Sequence, residues 1–136
     1  MPPTGSTSDA CPFCERMAKG EILIAAPYAA ALVDAFPVSP GHALVVPRRH
    51  VPGYFELSEE ERADVWRLVS EVKARLDGER SPAGYNVGIN VGEAAGQTVW
   101  HAHVHVIPRY AGDVEDPRGG VRWVIRTHAH YPTHTR

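Results

Sequence analysis

Between Ser58 and Leu76 apolar side chains return at helical spacing: Val65, Leu68, Val69, Val72 and Leu76 form one stripe among charged residues. Ser58 followed three positions later by Glu61 has the pattern of a capping box, so a long helix is predicted over about 58–76. Gly78, Pro82 and Gly84 end it. Upstream, a short helix is predicted over Phe13–Lys19, stopped by Gly20, and then two strands, Ile22–Ala26 and Ala29–Asp34, around the turn at Pro27. FPVSPG breaks the chain, and the apolar run from His42 to Pro47 reads as a third strand. After the long helix YNVGINV alternates as a fourth strand, GEAAGQ is a loop, and a fifth strand is predicted from Thr98 to Pro108. This order is not a regular βαβ repeat. It predicts an α+β domain with a mostly antiparallel five-stranded sheet, one long helix and a short N-terminal helix.

The domain is expected over residues 11–110. A leader over 1–10, rich in Pro, Ser, Thr and Gly, precedes it, and a C-terminal extension over 111–136 follows. In the extension, Gly and Pro flank one apolar patch, Val121–Ile125, read as a short extended stretch between a loop and a loose tail.

With 136 residues, 43% hydrophobic and 22% charged, the chain has the make-up of one folded globular domain rather than a disordered one. A formal charge of −2 supplies no basic field, which argues against duplex nucleic acid as a partner. No apolar run approaches the roughly 20 residues of a membrane-spanning helix, and the first residues lack a signal peptide's pattern, so no membrane association and a cytoplasmic location are expected. The two cysteines, Cys11 and Cys14, sit two residues apart in CPFC, a spacing that raises a metal or redox question rather than a disulfide framework.

Histidine is where the composition becomes informative. Of eight histidines, three alternate in HAHVHV. In an extended chain His101, His103 and His105 share one face, while Trp100, Ala102, Val104 and Val106 share the other. Because same-face residues repeat at about 6.7 Å, the rings form a ladder in which each can have its own task. Two chemistries fit: neighbouring imidazoles chelating a catalytic zinc, or a central neutral imidazole acting as nucleophile toward phosphorus. The second needs a phosphate cradle, and GEAAGQT, directly upstream, offers backbone amides together with Gln97 and Thr98. His128, His130 and His134 read as a solvated tail.

HAHVHVI, together with SPGHALVVPRRH and YNVGINVGEAAGQTVW, resembles the signature segments of the histidine-triad nucleotide-binding and hydrolase proteins from about Cys11 to Arg109. The resemblance implies a homodimer whose sheets join across the interface. It also implies cleavage of a nucleoside phosphate anhydride, ester or phosphoramidate through a covalent nucleotidyl-histidine, with a purine nucleotide, adenine foremost, as substrate. His103 matches the family nucleophile and His105 a phosphate or leaving-side contact. Gln97 and Thr98 match phosphate-binding positions. Asp34 matches the ribose-binding carboxylate, Asn90 a nucleotide contact, and Phe13 with Ile22 the apolar slot for the base. His42 falls at a family position behind the triad.

The branch that keeps both cysteines completes a structural zinc with positions matching His50 and His101, so the implied metal set is Cys11, Cys14, His50 and His101. A closed set of that kind leaves no open position for chemistry. A nucleotide-binding regulatory module with little turnover, and a zinc hydrolase using the triad as ligands, remain the alternatives.

Overall fold

The computed structural model describes residues 10–131. The leader therefore lies outside the described residues except for Ala10, as does His134. The elements are α1 (Pro12–Ala18), β1 (Ile24–Ala25), β2 (Ala29–Val33), β3 (Ala43–Pro47), α2 (Glu59–Arg80), β4 (Gly84–Ile89) and β5 (Val104–Arg109). The strands form one antiparallel sheet in the order β1-β2-β3-β5-β4. The α+β expectation is met.

The capping box forms as the sequence predicts: Ser58 Oγ accepts from the Glu61 amide at 3.1 Å, and the Ser58 amide donates to Glu61 Oε1 at 2.8 Å. Three glutamates then occupy the first turn of α2 and Arg80 the last, each complementing the helix dipole. The helix continues one turn beyond Leu76. Ion pairs one turn apart, Lys73 with Asp77 at 2.7 Å and Arg75 with Glu79 at 3.2 Å, carry it past Gly78. It stops at Ser81, whose φ of 49° is left-handed.

Alternation along the strands sorts the core into two layers. Ala29, Ala31, Ala43, Val45, Val104 and Val106 face α2 and pack on Val65, Leu68, Val72 and Leu76. Ala30, Leu32, Leu44 and Val46 face the opposite way and pack on Cys11 and Phe13 of the α1 segment. Burying a side chain such as Leu68 fully contributes about 1.5–3 kcal/mol. Gly41 marks the closest approach: its φ is +92°, and a Cβ there would lie 2.7 Å from the Leu76 side chain.

Three predicted elements change. The first strand shrinks to Ile24–Ala25, because the Ile22 amide closes a turn on Gly20 at 2.9 Å. The fifth strand begins at Val104 rather than Thr98. Pro47, at the end of β3, has no N–H with which to continue the ladder, and its carbonyl is taken by the His101 ring at 2.8 Å. The patch Val121–Ile125 is not extended but forms a tight helical turn, Gly120–Val124, entered through Gly119 at a φ of 97°. The segment beyond it is anchored rather than loose: Ala129 is fully buried, and Arg122 donates to the carbonyls of His128 and Ala129.

Glu61 joins two parts of the fold. Besides capping α2, its carboxylate accepts from Arg49 Nε at 3.0 Å and Nη2 at 2.8 Å. The Arg49 guanidinium, outweighing the cost of burial, holds the Glu61 carboxyl below its ordinary value of 4.5. A carboxylate depressed in this way stabilises the fold above its unfolded pKa, and the contribution is lost as pH falls through the folded one. Glu61→Gln is expected to lower unfolding free energy at neutral pH by about 1–3 kcal/mol. In urea titrations the deficit should shrink as pH falls below 4.5, and a deficit independent of pH would contradict the assignment.

Candidate active site and metal cluster

The face of the sheet opposite α2 carries the imidazoles. His101 and His103 precede β5 yet keep its alternation: Ala102 joins the α2 core, while His101 and His103 turn toward Phe13, with ring centroids 5.8 and 5.1 Å away. His101 is fully buried and His103 is 9% exposed.

Hydrogen bonding sets the tautomers. A carbonyl only accepts, so the 2.8 Å contact between His103 Nδ1 and the His101 carbonyl places the proton on Nδ1. The lone pair of His103 is left on Nε2. Burial lowers the pKa of this ring below the ordinary histidine value, which keeps it neutral. His101 donates from Nε2 to the Pro47 carbonyl and so carries its lone pair on Nδ1.

His42, buried against the triad, does the same work for His105. The Val38 amide donates to His42 Nδ1 at 3.1 Å, so the His42 proton sits on Nε2. Nε2 lies 3.0 Å from His105 Nδ1 and 3.3 Å from Asp34 Oδ2. His105 Nδ1 accepts, which leaves an N–H on its Nε2 beside His103, the two ring centroids being 5.1 Å apart. Burial, reinforced by the neighbouring rings of His103 and His42, pushes His105 down to about 4. Burial also lowers His42, against the pull of Asp34.

His101 Nδ1 points into a second cluster. It lies 3.4 Å from Cys11 Sγ, 3.4 Å from Cys14 Sγ and 3.2 Å from His50 Nδ1, and Cys14 Sγ is 3.5 Å from His50 Nδ1. Around one tetrahedral ion with metal–sulfur bonds near 2.3 Å and metal–nitrogen bonds near 2.0 Å, donors lie about 3.3–3.8 Å apart. The four residues fit a metal of that kind in donor type and spacing. Burial and the adjacent Cys11 push the Cys14 thiol up to about 11. A bound cation would reverse that balance, since a coordinating thiol is deprotonated.

The remaining predicted residues take varied places. Asp34 meets the imidazole row through Oδ2, and its Oδ1 accepts from the Phe36 amide at 2.8 Å, bracing the turn. Phe13 lies under His101 and His103. Ile22 is half-buried against the same layer. Asn90, half-buried, follows β4 directly, and Thr98 is exposed at the end of the loop. Gln97 is buried and faces inward: its amide nitrogen donates to the carbonyls of Pro52 at 2.6 Å and Val99 at 3.0 Å, and its oxygen accepts from the Gly92 amide at 2.9 Å. In the described structure Gln97 therefore shapes the loop. The tie of His42 to His105 is the contact of the row least legible from the sequence, because it spans 63 residues.

Set beside known proteins, this arrangement has a clear affiliation. The family model for the HIT domain matches residues 15–112, and the chain belongs to that family. Among its relatives is the bifunctional bis(5′-adenosyl)-triphosphatase/adenylylsulfatase FHIT of Arabidopsis thaliana, 38% identical over 95 residues, covering 70% of this chain and 53% of the plant protein. The chain thus spans about half of that relative's length. A HIT family protein from Bacillus anthracis superposes with a TM-score of 0.73 at 34% identity, over 79% of this chain and 78% of that one. A Zn-bound histidine triad family protein from Mycobacterium smegmatis gives a TM-score of 0.70 at 29% identity, over 79% and 80%. Among the described residues no helix is long and apolar enough to cross a membrane.

Gln97→Ala would leave the Gly92 amide and the Pro52 carbonyl without their partner, and is expected to destabilise the fold by about 1–3 kcal/mol. Urea denaturation reads this directly. An unchanged midpoint would mean that the loop holds its shape without the side chain.

Proposed function

We propose that the protein is a nucleotidyl hydrolase or transferase that cleaves a nucleoside phosphate anhydride, ester or phosphoramidate through a nucleotidyl group carried on His103. The observation that carries this reading is the fixed tautomer of His103, whose Nδ1–H is held by the His101 carbonyl while Nε2 keeps its lone pair.

In the first step the Nε2 lone pair forms a bond to the α-phosphorus, and the bond from phosphorus to the leaving atom breaks with its electron pair on that atom. The imidazole becomes positive as this happens, and the Nδ1–H bond to the His101 carbonyl strengthens with it. His105 Nε2–H is oriented to donate to the leaving atom or a phosphoryl oxygen. Water or another acceptor then attacks phosphorus, the N–P bond breaks, and its electrons return to Nε2 as the acceptor's proton leaves. The backbone amides of Glu93 and Ala94 in the Gly92–Gly96 loop, with Thr98 at its end, suit the phosphate oxygens. Asp34 and Asn90 are assigned to the nucleoside side, and Phe13 with Ile22 to the base, for which the plant relative named as a bis(5′-adenosyl)-triphosphatase supports adenine. Gln97 acts through the loop. Residues 11–110 form the catalytic domain in this reading, and 111–136 an extension to it.

Cys11, Cys14, His50 and His101 would hold a structural zinc that braces α1 against the active-site strand and performs no step. The unshared edge of β4 suits continuation of the sheet into a second copy, giving a homodimer. Free thiols in the metal cluster suit the reducing cytoplasm.

His103→Ala is expected to abolish turnover of diadenosine polyphosphates, a loss of at least about 10³-fold, while nucleotide binding measured by calorimetry persists. Mass spectrometry of the intact protein during turnover should show one nucleotidyl adduct, absent in the variant. Unchanged turnover would exclude the covalent route, and binding without turnover in the parent protein would favour a regulatory module. Removing metal with a strong chelator is expected to lower the melting temperature by several degrees or more, restored by zinc. Activity retained by chelated, still folded protein would exclude zinc chemistry at the triad; an unshifted melting temperature would exclude the structural zinc.

A further inference from the structure

CPFC carries two sulfurs that the proposed reaction does not use. The structure lays the motif across the start of α1: Cys11 caps the helix, Pro12 and Phe13 open it, and Cys14 stands in its first turn. Residues three apart on a helical turn are neighbours, with Cα atoms about 5 Å apart, inside the span that a disulfide bridges. Here the Cys14 amide donates to Cys11 Sγ at 3.4 Å, and both sulfurs lie 3.4 Å from one atom, His101 Nδ1. They are therefore within 4.8 Å of each other.

Their exposures differ. Cys11 is buried and Cys14 is half-buried, so a reagent from solvent meets Cys14 first. The sequence holds two cysteines, and the thiol beside an oxidised Cys14 is Cys11. Two fates are open to the pair, and each excludes the other. As thiolates the sulfurs complete the four-donor cluster with His50 and His101. Joined to each other, they leave the two imidazoles alone, too few for a closed tetrahedral set.

The same turn reaches the triad by two routes. Phe13, between the cysteines in sequence, is buried with its ring against His101 and His103. His101, in contact with both sulfurs, presents its carbonyl to His103 Nδ1.

We propose that Cys11 and Cys14 form a reversible dithiol–disulfide pair, oxidised by hydrogen peroxide, and that the disulfide form withdraws both sulfurs from the cluster and loosens the nucleotide site. In the first step Cys14 Sγ attacks a peroxide oxygen and the O–O bond breaks. The departing hydroxide takes up the thiol proton as water, and Cys14 is left as a sulfenic acid. Cys11 Sγ then attacks the Cys14 sulfur, the S–O bond breaks, and a second water leaves with the Cys11 proton. The pair gives up two electrons and two hydrogens, and peroxide is reduced to two waters. A thiol reductant reverses the bond by exchange. The link to nucleotide binding rests on the reading of the triad above; the sulfur chemistry does not.

The test treats the full chain, zinc-loaded and chelated, with one equivalent of hydrogen peroxide and reads intact mass without reductant. Expected in both forms is the loss of two hydrogens, with both thiols closed to alkylation and reopened by dithiothreitol, and in the loaded form the release of zinc to a colorimetric chelator. Cys14→Ser should show no such loss. Oxygen adducts without hydrogen loss, disulfide-linked dimers or an unaltered mass would overturn the pair. By calorimetry, adenosine monophosphate is expected to bind the oxidised form roughly tenfold more weakly, as the aromatic contact to the base is disturbed. Equal affinity in the two forms would overturn the link to the site. A reduced protein that binds no nucleotide would overturn the nucleotide reading and leave the sulfur pair standing.

Discussion

The site depends on the way one residue, His101, is held. Its ring is pinned at both nitrogens, by the Pro47 carbonyl on one side and by the Cys11, Cys14 and His50 donors on the other, while its own carbonyl fixes the proton of His103. Burial drives its pKa down to about 4, so the ring stays uncharged among sulfur and nitrogen donors. The candidate metal site and the proposed nucleophile thus share a backbone unit, and any shift in the four-residue cluster moves the carbonyl that sets the tautomer of His103.

The rest of the fold delivers this unit to its place. Pro47 ends β3 at the point where the chain leading into β5 departs from the ladder, and the departure gives the His101 ring access to a backbone carbonyl. On β2, Ala29, Ala30 and Ala31 are all fully buried, so the sheet is thin along that strand and both layers lie close to it. Arg49 reaches across to Glu61 immediately before His50, which ties the start of α2 to a member of the Cys11–Cys14–His50–His101 cluster. Helix capping and site geometry are in this way mechanically connected.

Much of this was legible from the amino-acid order because the relevant signals are local. Ser58 and Glu61 carry their own cap, the stripe of α2 is a 3.6-residue repeat, and the alternation of His101, Ala102, His103 and Val104 keeps the two faces apart even where no ladder forms. The misjudged start of β5 has a non-local cause, since what ends the pairing is a missing N–H on Pro47, more than 50 residues away. The bond between His42 and His105, and the role of Gln97 inside its loop, also depend on partners distant in sequence. The extension was hardest to interpret: Val121–Ile125 has strand-like composition, but Gly119 and Gly120 turn it, and Arg122 secures it through backbone carbonyls that no pattern announces.

Gln97 has a consequence for how the neighbouring loop meets an anion. With the amide group of Gln97 already spent on Gly92, Pro52 and Val99, the loop is shaped before any ligand arrives, and little conformational entropy remains to be surrendered on binding. In the reading proposed above, recognition through main-chain N–H groups does not read the side chains at Glu93 and Ala94, whereas the Ala95 amide is already donated to the Gly92 carbonyl at 3.2 Å.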